Sequence, residues 1–177
     1  MDLKVVFKKI EPAFEQYYNI KTENVEPPFF CEAEFTSQTQ QYFLVKAAKI
    51  SEAVSNEFVY FAKEDILTKS TLSNLAEQAW NRGLSKVTPG FGHRNSVVKL
   101  IILTNYIEQN LEKKIKKTRL YKSYKWTFYG WSHFKLAVIC TGQKDVYTNS
   151  MGKELKKLLN TLLGYKNLIK DSGGNSK

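Results

Sequence analysis

The chain has 177 residues, 42% of them hydrophobic, with three Trp, ten Tyr, eleven Phe and a formal net charge of +10. That length suits one domain and that apolar content supports a full core, which excludes a disordered polymer and a small scaffold dependent on staples. The charge is uneven: residues 1–110 hold 12 Lys and Arg against 13 Asp and Glu, whereas residues 111–177 hold 15 against 4.

Leu3, Val6, Phe7, Ile10, Phe14 and Tyr17 recur at helical spacing, so a helix opens the chain. Pro12 predicts a kink or restart within it, because proline lacks the N–H that a helix interior needs. After a connector, Lys21 to Pro28, come three strand-like runs, Phe29–Thr36, Tyr42–Ile50 and Glu57–Ala62. Polar linkers separate them, and an antiparallel meander is expected. Ile66–Gly83 reads as a helix capped by Thr68 or Ser70, with the stripe Leu72, Leu75, Ala76, Ala79 and Trp80, ending at Gly83. The loop Lys86–Asn95 leads into a β-branched central strand, Ser96–Leu103. Tyr106–Lys117 reads as a short helix with Ile107, Leu111 and Ile115 inward. Tyr121–Tyr129 and Trp131–Thr141 read as two strands around Gly130, with a short third at Asp145–Tyr147. The last helix begins near Met151, with Asn149 or Ser150 as its cap and Leu155, Leu158, Leu159, Leu162 and Leu163 on one face.

The order is helix, three strands, helix, strand, helix, two to three strands, helix. It implies one α+β domain over residues 1–170, a mixed, mostly antiparallel sheet with helices packed on it. Residues 171–177 are expected to form a flexible tail. The first ten residues lack a secretory pattern and no run of 18 apolar residues occurs, so a cytoplasmic protein without a membrane partner is expected. Cys31 and Cys140 lie far apart in apolar runs, which predicts free buried thiols rather than a disulfide framework or a zinc site.

The excess positive charge points to an anionic partner. Its densest stretch contains Lys113, Lys114, Lys116, Lys117, Arg119, Lys125 and Lys135, interleaved with Tyr121, Tyr129, Trp131 and His133. Strand alternation puts Tyr124, Trp126 and Phe128 in the core and leaves Tyr121, Lys125, Tyr129, Trp131, His133 and Lys135 on the opposite face. Cations and rings on one sheet face can neutralise phosphates and stack bases. Lys153, Lys156 and Lys157 on the last helix extend the basic surface.

Other chemistry has thinner support. The loop Thr88–Asn95 combines Gly90 and Gly92 with His93 and Arg94, but it leaves a helix and enters a strand, the reverse of a phosphate-cradling loop. The opening order of elements resembles the restriction-endonuclease-like fold, yet no Glu-x-Lys stands on the third strand, and Glu32 with Glu34 is an unorthodox metal pair. Nucleophile elbows, Walker loops and dinucleotide fingerprints are absent, and no cofactor is expected.

Four stretches, Asn56–Ala62, Ala79–Leu84, Tyr121–Lys125 and Asp145–Asn149, resemble a family of small prokaryotic proteins without assigned function, over roughly residues 29–163. The resemblance implies a cytosolic prokaryotic origin, and it carries over no catalytic residues. The expectation is therefore a non-enzymatic domain that binds nucleic acid or another anionic partner through its last third. The alternatives are a protein-interaction or self-associating module and a divergent metal-dependent nuclease.

Overall fold

The computed structural model describes residues 2–36, 54–90 and 93–165. Along the chain these form α1 (Leu3–Glu15), β1 (Asn19–Lys21), β2 (Phe29–Thr36), β3 (Val54–Leu67), α2 (Lys69–Ser85), β4 (His93–Ile107), α3 (Leu111–Lys117), β5 (Tyr121–Ser123), β6 (Trp131–Cys140), β7 (Asp145–Thr148) and α4 (Lys153–Leu163). The sheet order is β1-β2-β3-β4-β6, and β5 and β7 both pair with the outer edge of β6. Among the described residues the pairings β1/β2, β2/β3, β5/β6 and β6/β7 are antiparallel, while β3/β4 and β4/β6 are parallel. The fold is thus the expected α+β domain with a mixed, mostly antiparallel sheet. Its centre is parallel because helices, not hairpins, carry the chain from β3 to β4 and from β4 towards β6.

Helices cover both faces. On one, Val6, Phe7, Ile10 and Phe14 of α1 and Leu155 and Leu159 of α4 meet Val59, Phe61, Ile101, Leu103, Ala137 and Ile139. On the other, Leu72, Leu75, Ala76 and Ala79 of α2 and Leu111 and Ile115 of α3 meet Phe58, Tyr60, Ala62, Val98, Leu100, Ile102, Phe134, Leu136 and Val138. Strand alternation sorts the two sets, and β4 reads as a nearly unbroken apolar run because both its faces are buried.

Several local expectations are corrected. α1 runs through Pro12 without a restart, and Asp2 caps it by accepting from the Lys4 amide at 2.9 Å. Pro12 lies on the exposed side of the helix. Tyr17 is exposed rather than part of the buried stripe, and so is Leu158 on α4. Thr68 does cap α2, but Gly83 lies inside that helix, against Val98. β4 extends to Ile107, so α3 starts only at Leu111. The expected strand Tyr42–Ile50 and the tail lie outside the described residues.

The largest correction concerns Tyr121–Tyr129. Only Tyr121–Ser123 pairs with β6, and Lys125–Thr127 form a tight turn. Lys125, Trp126 and Thr127 all adopt positive φ, at 41°, 55° and 75°. That backbone curls the chain away from the sheet and ends the alternation that would put Trp126 and Phe128 in the core.

Candidate functional site

The curl places two large aromatic rings in water. Trp126 is 90% exposed and Phe128 86%. Gly130 closes the turn at φ +77°, and a Cβ there would stand 2.3 Å from the Arg94 carbonyl oxygen. Lys122 and Lys125 lie over the rings of Tyr124 and Tyr129, at 5.6 and 4.6 Å from the centroids. Tyr124, expected in the core, is half-buried and its hydroxyl shares a hydrogen bond with Ser132 at 2.8 Å. Three successive left-handed residues without glycine cost about 1–2 kcal/mol each, so this display is stabilised by the contacts around it.

The expected binding residues do not form one open face. Lys113, Lys114, Lys116, Lys117 and Arg119 are exposed, and among the described residues they form no ion pair. The four lysines lie on α3 and Arg119 just beyond it. Tyr121 pairs with His133, and Ser123 with Trp131, on the α1/α4 side. Tyr121 and Lys125 are exposed, Tyr129, Trp131 and His133 are half-buried, and Lys135 is buried. Lys135 leaves the proposed surface because the first turn of α4 covers it, and its ammonium lies 2.9 and 3.1 Å from the two carboxylate oxygens of Glu154. Lys153 and Lys157 are exposed on α4, and Lys156 pairs with Asp145 at 3.2 Å. The cations therefore wrap one sheet edge, with α3 on one side, α4 on the other and the Trp126 turn between strand pairings.

Sequence reading missed a second cluster. Lys99 of β4 points into the α1/α4 face, where its ammonium meets the Glu57 carboxylate at 2.5 Å and the Tyr18 hydroxyl at 2.8 Å. Tyr18 also donates to Glu57. Burial pushes the Glu57 carboxyl up, but the charge and hydrogen bond of Lys99, the Tyr18 hydroxyl and the charge of Lys135 outweigh it, so Glu57 lies below the ordinary carboxylate range. Burial, aided by Lys135, holds Lys99 below the usual lysine value. His133 is likewise lowered, by burial and then by Lys135. The signal in the sequence was a charge inside an apolar strand, Val97-Val98-Lys99-Leu100, facing a covered surface.

The remaining candidates are structural. His93 is buried; its Nδ1 donates to the Tyr129 carbonyl at 2.7 Å, and in the neutral ring the Ser96 hydroxyl donates to Nε2 at 2.9 Å. It fastens the start of β4 to the Trp126 turn, while Arg94 is exposed. Glu32 pairs with Arg82 at 3.1 Å and with Lys86 at 3.2 Å, and Glu34 pairs with Lys86. Those carboxylates tie α2 to β2, and no group of acids, His or Cys among the described residues could hold a metal ion. Cys31 and Cys140 are free and buried, and burial pushes the Cys31 thiol up to about 12. No helix among the described residues is long and apolar enough to cross a membrane.

Residues 2–161 match a protein family described as Domain of unknown function (DUF8052). The chain belongs to the DUF8052 family. No curated protein and no solved structure matches this DUF8052 domain, so the likeness of element order to restriction endonucleases is not confirmed. The expected membership of a family without assigned function stands, carried by nearly the whole chain.

Proposed function

We propose that this domain binds single-stranded nucleic acid along its basic edge, with Trp126 and Phe128 as the stacking platform. The observation that carries this reading is the near-complete exposure of both rings on a left-handed turn. The segment that carries them is basic: residues 113–135 contain eight Lys and Arg, all exposed except Lys135, and no Asp or Glu. Exposed rings offer base stacking only where bases are unstacked, so a single strand fits better than a duplex. The unpaired lysines of α3 supply the phosphate contacts.

The test is a titration of single- and double-stranded DNA and RNA at several salt concentrations, followed by Trp fluorescence. Single strands bind more tightly than duplexes, and the logarithm of the affinity falls linearly with that of salt. No binding at low salt, or binding confined to anionic lipid vesicles, overturns the reading.

A further inference from the structure

Lys99 and Lys135 are paired positions on β4 and β6, about 4.8 Å apart across the sheet. The two are not held alike. Lys99 is enclosed by Glu57 and Tyr18. Lys135 has a side chain only 10% exposed, yet its carboxylate partner Glu154 is 76% exposed. Glu154 can turn into water and regain hydration, whereas Lys135 cannot follow it. Two residues along β6 on the same face, His133 keeps Nδ1 buried with no hydrogen-bond partner among the described residues. Opposite His133 stands Tyr121, 53% exposed.

A buried ammonium whose counter-ion is detachable, beside a ring nitrogen without a partner, is a donor set waiting for a second acceptor. We propose that Lys135 and His133 bind a phosphate group that displaces the Glu154 carboxylate. Phosphate suits the set because it offers several acceptor oxygens to donors that approach from different directions. Nδ1 carries the proton and donates to one oxygen; the Lys135 ammonium donates to another. The Tyr121 ring beside His133 gives a nucleoside attached to that phosphate a surface to lie on. Glu154 is then a tethered competitor that occupies the site until phosphate arrives. The site goes beyond the edge reading and does not depend on Trp126 or Phe128. The phosphate has two sources, a free phosphate or the phosphorylated end of a nucleic acid.

The experiment follows the imidazole ¹⁵N and ¹H signals of His133 in the full chain. Three probes are titrated: inorganic phosphate, a 5′-phosphorylated dinucleotide and the same dinucleotide without the phosphate. A saturable shift with the phosphorylated probes and none with the third is the expected result. Saturation by inorganic phosphate alone assigns the site to free phosphate, and saturation by the phosphorylated dinucleotide alone assigns it to a nucleic-acid end. Glu154→Gln tightens binding by about two- to fivefold, the release of one exposed ion pair. Lys135→Met removes the His133 shift while single-stranded oligonucleotide binding, followed by Trp fluorescence, persists, which separates failure here from failure of the edge reading. The absence of any saturable shift at His133, or an affinity unaltered in Glu154→Gln, overturns the proposal.

Discussion

Asn149 illustrates how one side chain holds the β6 edge together. It is 1% exposed, and it does not cap the following helix. Its Nδ2 donates to the carbonyls of Thr118 and Phe134 at 3.1 and 3.0 Å, and its Oδ1 accepts from the Leu136 amide at 3.1 Å. It thereby joins the segment after α3 to β6. Asn149→Ala strands three backbone groups, and a loss of about 3 kcal/mol in urea unfolding is expected, since each buried orphan costs about 1–3 kcal/mol. Gly83 carries an opposed pair of effects. Ala favours a helix interior by about 1 kcal/mol, but its Cβ would stand 2.4 Å from Val98 Cγ2. Overpacking costs about 1–3 kcal/mol, so Gly83→Ala fails to stabilise, a reversal readable in the melting temperature.

The Trp126 turn is an element whose exposure separates binding from stability. Trp126→Ala and Phe128→Ala remove rings that cover little, so unfolding free energies stay within about 0.5 kcal/mol of wild type. Binding of a single-stranded oligonucleotide weakens by about 1–3 kcal/mol per ring. A loss of stability matching the loss of binding would show instead that the rings support the fold. Neutralising Lys113 and Lys117 on α3 acts differently. The slope of affinity against salt becomes shallower by about 0.7 for each phosphate that is no longer neutralised, with little change in any base preference.

Over the whole molecule, the charge step at residue 111 becomes a division in space. The chain after that point builds α3, β5, β6, β7 and α4, and with them one basic edge. The opposite side is knit by acids, Glu26 and Glu32 on Arg82 and Glu32 and Glu34 on Lys86. The buried cluster between α1, α4 and the sheet sets the acid response. His133 has a folded pKa below its ordinary 6.5, so the unfolded chain binds the proton more readily. Its contribution to stability is present above 6.5 and is lost as pH falls below it; Glu57, also lowered, adds a second loss below its ordinary 4.5. Denaturant midpoints measured from pH 7.5 to 5.5 should decline, and His133→Asn should flatten that decline.

Periodicity alone determined the helices, most strands and the layered class, because a stripe at three- and four-residue spacing or an alternation must be buried against something. It also located the basic third, since charge is a property of the residues themselves. Two things needed the assembled fold. Whether Trp126 and Phe128 lie inside depends on φ at Lys125–Thr127, in a turn whose end is fastened to a distant segment by the His93 bond to the Tyr129 carbonyl and by the close approach of Gly130 to the Arg94 backbone. Whether Lys135 is a surface cation depends on Glu154, 19 residues away. Neighbours distant in sequence set both outcomes, because burial and pairing are properties of packed layers and not of local pattern.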